Sequence, residues 1–406
     1  MRAEPFLSPA EAGSRMATQR RTPTKAGVYG SYAGFADGSP RRQRCIAAHT
    51  HRIQSPRMRH HGLNIVAIGG GTGLSTLLRG LKSYVDADGP WSIANLGAIV
   101  TVTDEGGSSG ALRKEFGMLP PGDIRNCIVA LAEEEQLLSR LFSYRFQNGE
   151  SALGGHSLGN LLLAALTDIT GSFDEAILTA SEVLNIAGEI YPSTLADVRL
   201  RAELADGSAL LGEVAISGSH LGEKSPERPH HARITHLSID PADAQPTDRA
   251  LEALRAADLV LIGPGSLYTS ILPNLLIKPI AEALRFSRAL RVYVCNVMTQ
   301  PGESDNYTAE QHLQAIIEHA GLVVDVMILN GGRPSETILS AYASQGQHPV
   351  AFDVNAIREL GVTPFFGDII KEGNYVRHDS VALADTIFRL YESYGRTLER
   401  MRRTEA

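Results

Sequence analysis

Short apolar runs alternate with stretches of helical periodicity along most of the chain. Residues 63–68 form an almost continuous apolar run, which is typical of a strand buried on both faces of a parallel sheet. Similar runs occupy residues 98–103, 259–262, 292–296 and 326–330. Strands that alternate with helices predict a Rossmann-like, three-layer, doubly wound parallel sheet, so we expect an α/β fold.

One segment departs from this pattern. Residues 197–217 alternate polar and apolar positions around Asp206 and Gly207, which favours an antiparallel hairpin. Residues 234–239 are a candidate third strand. We therefore expect a small antiparallel β insertion at about residues 197–240, inside a single domain that spans residues 63–390. Residues 391–406 are predicted to be the charged end of a C-terminal helix.

The net charge of −7 is divided unequally along the chain. Residues 1–62 carry 11 Lys and Arg against three Asp and Glu, a charge of +8, whereas residues 63–406 carry 27 against 42, a charge of −15. A Gly-, Ser-, Pro- and Arg-rich opening cannot bury enough apolar surface to offset its ordering entropy. It is predicted to be a disordered basic tail, unless the translated chain begins at Met58. No folded nucleic-acid reader accompanies it, so no nucleic-acid partner is expected.

Cysteine usage and hydropathy indicate the compartment. Cys45, Cys127 and Cys295 form neither a closely spaced pair nor an even disulfide set, which favours a reducing interior. The chain has no run of about 18 apolar residues that could span a membrane. We therefore expect a cytoplasmic protein without membrane insertion.

A glycine-rich turn follows the first predicted strand. Gly70, Gly71, Thr72 and Gly73 lie between that strand and a helical stretch. Glycine there lets the backbone approach a phosphate, and the first N–H groups of the helix favour negative charge. Leu74 replaces the last glycine of the dinucleotide fingerprint and no Walker Lys-Ser pair follows, so a plain turn is the alternative. If the turn binds phosphate, Gly73→Val should abolish binding at little cost in stability.

Two carboxylates follow the second predicted strand. Asp104 and Glu105 stand where open α/β sheets bind ligands, and Gly107, Ser108 and Ser109 offer amides and hydroxyls to an anion. Carboxylates beside phosphate donors are typical of a bridging Mg²⁺. Asp104 is therefore the candidate metal ligand, and the candidate catalytic residue if the protein is an enzyme. A helix cap and a solvated loop charge are the alternatives for this pair.

Further polar residues stand at predicted strand and helix ends. Asp123 is a candidate N-cap with Asn126 in the first helical turn, while His156 and Asn160 stand beside the start of an apolar helix. His156 could be a general acid or base, although a single histidine is more often a hydrogen-bonded structural residue. The later candidates are Gly265 and Ser266 in a phosphate or ribose loop, Asn296 after a strand, Tyr342 as a ring to stack on a base, and Arg377 as a partner for a diphosphate.

These motifs, in this order, resemble the YvcK-type gluconeogenesis factors over about residues 63–390. The resemblance rests on residues 69–75 and 376–380 and on the motifs Asp-Glu-Gly-Gly-Ser-Ser-Gly, Pro-Pro-Gly-Asp-Ile-Arg-Asn, His-Ser-Leu-Gly-Asn and Gly-Pro-Gly-Ser-Leu-Tyr-Thr-Ser-Ile. That family is related to 2-phospho-L-lactate transferase. The resemblance implies a nucleoside-diphosphate site in which Tyr342 and Arg377 contact a UDP-sugar. The family's usual Asp-Asp pair is Asp104-Glu105 here, which moves one carboxylate outward by a methylene.

The resemblance also implies a function. Members are cytoplasmic proteins needed for normal cell shape on gluconeogenic carbon sources, and they bind UDP-sugars without a settled catalytic activity. We therefore expect a regulatory protein that binds a UDP-sugar such as UDP-N-acetylglucosamine, requires no cofactor, and associates with a cell-wall synthesis protein and with further copies of itself. The alternatives are a Mg²⁺-dependent transferase with a nucleoside-diphosphate donor and, less favoured, a dinucleotide oxidoreductase. Ser380 is a candidate phosphorylation site.

Overall fold

The computed structural model describes residues 62–133, 135–147, 153–218, 232–373 and 375–404. Residues 1–61 of the predicted basic tail lie outside the described residues. The strands are β1 (Leu63–Gly69), β2 (Ile93–Val100), β3 (Glu189–Pro192), β4 (Arg199–Leu204), β5 (Ala209–Leu211), β6 (Ile234–Asp240), β7 (Leu259–Ile262), β8 (Leu290–Val294), β9 (Val326–Asn330), β10 (Thr363–Gly367), β11 (Ile370–Glu372) and β12 (Val376–His378).

Helices occupy most of the chain between the strands. They are α1 (Gly71–Leu81), α2 (Gly107–Phe116), α3 (Gly122–Leu131), α4 (Glu135–Ser143), α5 (Leu158–Thr170), α6 (Phe173–Val183), α7 (Glu213–Ser217), α8 (Asp248–Ala256), α9 (Leu272–Leu275), α10 (Lys278–Arg285), α11 (Ala309–Ala320), α12 (Glu336–Ala343), α13 (Val354–Glu359) and α14 (Ser380–Thr404). A π-helical turn at Leu267–Ile271 precedes α9. None of the described helices has the length and apolarity that a membrane crossing requires.

Seven parallel strands form the central sheet in the order β10-β9-β8-β7-β1-β2-β3. Residues 65–68 of β1 are buried, as expected for a strand covered by helices on both faces. The chain moves from β1 to β3 on one side and from β7 to β10 on the other, so the strand order reverses between β1 and β7. The predicted doubly wound fold is confirmed, and this reversal is the point where such sheets bind ligands.

The β insertion is a three-stranded antiparallel sheet in the order β5-β4-β6. The predicted insertion and its third strand are confirmed, but the prediction of strand up to residue 217 is wrong. Gly212 has a φ of +85°, a conformation that glycine adopts without steric cost. The chain therefore leaves β5 at Leu211 and turns into the short helix α7. Residues 219–231 of the insertion lie outside the described residues.

Gly73 lies at a backbone contact between the start of α1 and the loop after β7. A β-carbon on Gly73 would lie 2.3 Å from the carbonyl oxygen of Pro264, far inside van der Waals contact. Glycine is thus required here by helix–loop packing, whether or not a phosphate binds. The structure argues against the expectation that Gly73→Val would cost little stability.

We expect Gly73→Ala to lower the free energy of unfolding by about 1–3 kcal/mol, the usual cost of an extra carbon in a packed site. Gly89→Ala is the matched control, because a β-carbon there would meet nothing closer than 3.9 Å. Urea denaturation measures both variants. Wild-type stability in Gly73→Ala would show that the Pro264 loop moves aside freely and that the contact constrains nothing.

Candidate functional site

A cleft of about 240 Å³ opens beyond the carboxyl ends of β1, β7 and β8. It lies at the reversal of strand order, where the turn leading into α1 meets the loop after β7. Eight of the residues predicted from the sequence line this cleft: Gly70, Gly71, Thr72, Gly73, Gly265, Ser266, Asn296 and Arg377. The first turn of α1, from Gly71 to Leu74, contains no acidic residue of its own, and the dipole of this helix end favours an anion.

Asn296 and Gln300 fix the loop after β7. Asn296 Nδ2 donates to the Gly265 carbonyl oxygen at 2.9 Å, and Gln300 Nε2 donates to Ser266 Oγ at 2.8 Å. Because Ser266 Oγ accepts this bond, its hydroxyl hydrogen can be donated to a ligand. Gln300 was missed from the sequence, and the only signal was its position a few residues beyond a strand end.

Tyr342 stands behind the wall of the cleft, next to Val297, Met298 and Val376, and its stacking on a base stays a prediction. Its ring packs against Val297, Met298 and Val376. Its hydroxyl accepts the Val376 N–H at 3.0 Å and faces the carbonyl oxygen of the same residue at 3.4 Å. Tyr342 therefore holds β12 in position, and β12 carries Arg377 to the cleft.

The neighbours of Arg377 leave its guanidinium facing solvent and the cleft. Arg377 is exposed, with the guanidinium carbon 5.9 Å from the centre of the Tyr375 ring. Asp379 instead caps α14, accepting the N–H groups of Val381 and Ala382 at 2.9 Å each. His378 Nε2 lies 3.3 Å from the Cys295 carbonyl oxygen, and burial lowers the pKa of this imidazole to about 4. Arg377 is thus the cationic side chain of β12 at neutral pH.

Ser108 is the centre of a buried network that joins α2 to α5. Its Oγ accepts from Asn160 Nδ2 at 3.1 Å and from the Ser157 N–H at 3.4 Å. Both acceptor positions are then occupied, so the hydroxyl hydrogen points to His156 Nδ1 at 3.2 Å. With the Ser108 hydroxyl as donor, His156 Nδ1 is the acceptor in this contact. This arrangement favours a structural role for His156 over that of a general base acting through Nδ1.

Arg125 connects the same network to α3. Its Nη1 donates to Ser157 Oγ at 2.8 Å and to Asn160 Oδ1 at 3.2 Å, and its Nη2 donates to Asn126 Oδ1 at 2.8 Å. Ser109 Oγ lies 3.4 Å from Asn160 Nδ2. The predicted residues Ser108, Ser109, Asn126, His156 and Asn160 thus form one polar layer where α2, α3 and α5 begin, separate from the residues that line the cleft.

Asp123 joins this layer to the glycine turn. The prediction that it caps α3 is wrong: α3 begins at Gly122 with Pro121 in the cap position, and Asp123 lies in the first turn. Its carboxylate instead accepts the N–H of Gly71. A β-carbon on Gly70 would lie only 2.5 Å from Asp123 Oδ2. Desolvation, followed by the charge of Asp104, raises the pKa of Asp123 to about 7.

Asp104 and Glu105 face different parts of the protein. Asp104 Oδ1 accepts the Gly106 N–H at 2.8 Å, and a β-carbon on Gly122 would lie 2.3 Å from its Oδ2, so this carboxylate faces α3. Glu105 Oε1 lies 3.6 Å from Arg113 Nη1. Since Arg113 also donates to Val198 at 2.7 Å, the Glu105 side chain points to the β insertion. The longer side chain therefore supports the insertion and lies apart from Asp104.

Glu213 supplies a further carboxylate that the sequence did not reveal. It begins α7 of the insertion, and its carboxylate accepts the N–H of Glu105. Burial, followed by the charges of Asp104 and Asp123, raises its pKa to about 7. Its neighbours come from distant parts of the chain, so no local motif indicated it.

The carboxylates can be compared with the needs of Mg²⁺. Within the described ranges, no group of three or more His, Cys, Asp or Glu is arranged to hold a metal ion. Mg²⁺, however, is commonly held by one or two carboxylates together with waters and substrate phosphates. Asp104 and Asp123 are close enough for the charge of one to raise the pKa of the other. Asp104 and Asp123 are therefore the residues that would hold a Mg²⁺ ion shared with a bound diphosphate.

A larger cavity lies at the opposite edge of the sheet. It has a volume of about 930 Å³ and is lined by Asn64, Lys82, Asn95 and Glu189, among others. Asn64, Asn95 and Glu189 stand near the amino ends of β1, β2 and β3, and Lys82 directly follows α1. None of the predicted site residues lines it, and open α/β sheets bind ligands at the carboxyl ends. The smaller cleft at the carboxyl edge is therefore the candidate site.

Comparisons with known proteins agree with this architecture. The family model described as 2-phospho-L-lactate transferase CofD matches residues 65–370. A relative from Aquifex aeolicus with a gluconeogenesis-factor name is 47% identical over 333 residues, which is 82% of this chain and 97% of the relative. A protein named "Gluconeogenesis factor" from Halalkalibacterium halodurans is 46% identical over 328 residues, 80% of this chain and 95% of the relative.

A solved structure extends the comparison to the fold. The crystal structure of a UPF0052-family protein from Bacillus halodurans matches with a TM-score of 0.73 at 44% sequence identity, covering 80% of this chain and 99% of that one. The chain belongs to the CofD family, and within it to the group whose members carry the gluconeogenesis-factor name. The resemblance inferred from the motifs is confirmed.

The raised pKa of Asp123 predicts a pH-dependent stability. Its value moves from an ordinary 3.8 to about 7 on folding, so the folded protein holds this proton more tightly than the unfolded chain. The resulting stabilisation is complete below pH 3.8 and is lost as the pH rises through about 7. We expect Asp123→Asn to make the fall in unfolding free energy between about pH 5 and about pH 8 shallower.

Urea denaturation at the two pH values measures this change. Asp168→Asn, at an exposed aspartate of α5, is the matched control and should keep the wild-type slope. Glu213 titrates in the same range, so part of the slope should remain in Asp123→Asn. An unchanged slope in Asp123→Asn would mean that its carboxyl group ionises normally in the folded protein.

Proposed function

We propose that the chain binds a UDP-sugar, such as UDP-N-acetylglucosamine, in the cleft between the α1 turn and the loop after β7. The observation that carries this proposal is the convergence of two glycine-rich turns at the reversal of strand order. The N–H groups at the start of α1, the Ser266 hydroxyl and the Arg377 guanidinium are donors suited to a diphosphate. The chain belongs to the family described as 2-phospho-L-lactate transferase CofD, and the motif resemblance connects that family with a nucleoside-diphosphate site, which supports the same ligand class.

We further propose a regulatory role in the cytoplasm. Relatives are named gluconeogenesis factors, and the motif resemblance connects such proteins with cell shape on gluconeogenic carbon sources. In this proposal the bound UDP-sugar reports nucleotide-sugar supply, and the protein passes that signal to a cell-wall synthesis protein, acting as a homo-oligomer. No cofactor is required for binding.

A ligand that binds only the folded state, present at one hundred times its Kd, adds about 2.7 kcal/mol to the unfolding free energy. UDP-N-acetylglucosamine should therefore raise the melting temperature by a few degrees, and NAD should raise it less. Arg377→Ala should reduce the shift because a diphosphate partner is lost, whereas Arg358→Ala, at an exposed arginine of α13, should preserve it. A shift with NAD that equals or exceeds the shift with the UDP-sugar would contradict the proposal.

The carboxylate pair and the family model favour a second candidate, a Mg²⁺-dependent transferase with a nucleoside-diphosphate donor. Asp104 and Asp123 would hold Mg²⁺ against the diphosphate. When bound, the ion would neutralise charge that develops on the leaving group. The Asp123 carboxylate accepts the N–H of Gly71. This hydrogen bond orients the carboxylate towards the first turn of α1.

The two candidates predict different products. An enzyme should convert a UDP-sugar in the presence of Mg²⁺ and a suitable acceptor, and Asp104→Asn should then remove turnover by orders of magnitude while affinity changes only a few-fold. A binding protein should return the UDP-sugar intact, as chromatography of the incubated ligand would show. Glu105→Asp is the matched control, because Glu105 faces Arg113. We expect intact ligand; Mg²⁺-dependent conversion that is lost in Asp104→Asn would make this an enzyme.

A further inference from the structure

The helix α5 carries apolar side chains on the side that faces solvent as well as on the side that faces the core. Its inner side buries Leu163. On its outer side, Leu158 and Leu162 are each 37% exposed, Ile169 is 77% exposed, and Ala165 between them is also exposed. A helix that is apolar on all sides is normally buried. The outer side of α5 therefore has the composition of an interface.

The spacing of the exposed residues indicates the shape of the partner. Four, three and four residues separate successive members of the row Leu158, Leu162, Ala165 and Ile169. This alternation forms the apolar seam of helices that pack with knobs into holes. Ala165, near the middle of the seam, is small enough to let another helix approach closely. The outer side of α5 is therefore suited to contact with a second helix.

The helix α4 adds a second exposed seam beside the first. Its members repeat the four- and three-residue spacing and are 55%, 44% and 53% exposed, in the order Leu137, Leu141 and Tyr144. The two helices are held together, because the Leu158 N–H donates to the Tyr144 carbonyl oxygen at 2.8 Å. The buried ring of Phe142 also packs against Gly159. We call the seven residues of the two seams the α4–α5 face.

The size of the α4–α5 face can be compared with the needs of a stable interface. Its six large side chains together expose roughly 600 Å², at the upper limit of the apolar patches on monomers. Against the same face of another copy, the pair would bury roughly 1,200 Å², the area at which stable, specific interfaces begin. A single helix of a different protein would cover only one of the two seams. The area therefore favours a second copy of this chain.

Charges at the two ends of α5 favour the same partner. The exposed Arg145 adjoins the start of α5 through a β-bridge to Ser157, and the exposed Asp168 stands in the last turn of this helix. In a two-fold dimer, with each α5 antiparallel to its copy and the axis between Leu162 and Ala165, the start of one helix faces the end of the other. Arg145 of one copy then lies near Asp168 of the other. The face is thus complementary to itself in charge.

We propose that the α4–α5 face binds the same face of a second copy, forming a two-fold dimer in which four helices pack along their apolar seams. The inference supplies the contact surface of the homo-oligomer in the proposed function, and it rests on that part alone. The inner side of α5 carries Asn160, whose Nδ2 donates to Ser108 Oγ in the polar layer. Association on the outer side therefore also holds the helix that supports this layer.

Sedimentation of the purified chain at micromolar concentration tests the proposal, because it separates a second copy from any other partner. The wild-type chain should sediment as a dimer. Leu162→Asp should sediment as a monomer, since the change would bury an unpaired charge in the seam. Leu322→Asp is the matched control, because Leu322 is 47% exposed but lies between α11 and β9, outside the two helices. Circular dichroism checks that each variant is folded.

Two charge reversals test the two-fold arrangement without placing a charge in the seam. Arg145→Glu and Asp168→Arg should each weaken the dimer about tenfold, because each change affects two symmetric contacts. The two changes together should restore the dimer, because opposite charges then face each other again with their signs exchanged. Single variants that keep wild-type association, or a double variant as weak as either single variant, would overturn the arrangement.

The outcomes separate this inference from the proposed ligand. A wild-type chain that stays monomeric, or a dimer that Leu162→Asp leaves intact, overturns the interface. If Leu162→Asp does not fold, the charge reversals decide. A dimer that is lost in Leu162→Asp but binds no UDP-sugar supports the interface, while the proposed ligand fails. A chain that binds UDP-N-acetylglucosamine as a monomer keeps the ligand proposal and overturns the interface.

Discussion

The contact between the start of α1 and the loop after β7 constrains the whole carboxyl edge of the sheet. Asn274 is fully buried. Its Nδ2 carries two hydrogens and donates to the carbonyl oxygens of Gly69 at 3.1 Å and Ser270 at 2.8 Å. It thereby joins the end of β1 to the turn after β7. Glu303 accepts the N–H groups of Tyr268 at 2.7 Å and Thr269 at 3.1 Å, which fixes the other side of that turn. The cleft depends on this junction, because its walls are the two segments that the junction holds together.

The electrostatics of the site follow from the same geometry. Several helices begin at the carboxyl edge, and their N-termini favour negative charge. One carboxylate of the protein already supplies negative charge at the start of α1, because Asp123 accepts the N–H of Gly71. A bound diphosphate would add charge beside Asp123 and Asp104. A proton on Asp123, whose pKa is raised to about 7, or a cation shared with the phosphates would relieve this repulsion, so ligand binding and protonation are expected to be coupled.

The centre of the fold could be predicted from the sequence, and its edges could not. The central strands were found because strands buried on both faces are continuous apolar runs, although β2, expected at residues 98–103, occupies Ile93–Val100. The outer strands β3 and β10 were missed: each is short, and Pro192 and Pro364 within them weaken a strand signal. In the insertion, alternation suggested a strand where Gly212 turns the chain into α7.

The candidate site likewise has features that could be predicted from the sequence and features that could not. The glycine turns were recognisable because their chemistry is local to one loop and one helix start. The roles of Asp123, Tyr342 and Glu213 were not, because each depends on a contact with a segment far away in the chain. In the sequence, Asp123 has the residue type and the predicted position of an N-cap for α3. Its carboxylate nevertheless accepts an N–H group of α1. Residue type and spacing can therefore indicate where ligand chemistry lies, whereas the role of each side chain requires the fold.

The central claim is that ligand binding occurs at the carboxyl edge of the sheet, where the strand order reverses. Hydrogen–deuterium exchange with and without UDP-N-acetylglucosamine tests it most directly, because it reports on both edges in one experiment. The account predicts slower exchange in residues 70–76 and 264–270, which border the cleft. Unchanged exchange there, with protection instead in residues 94–97 and 185–191 around the larger cavity at the amino edge, would contradict it.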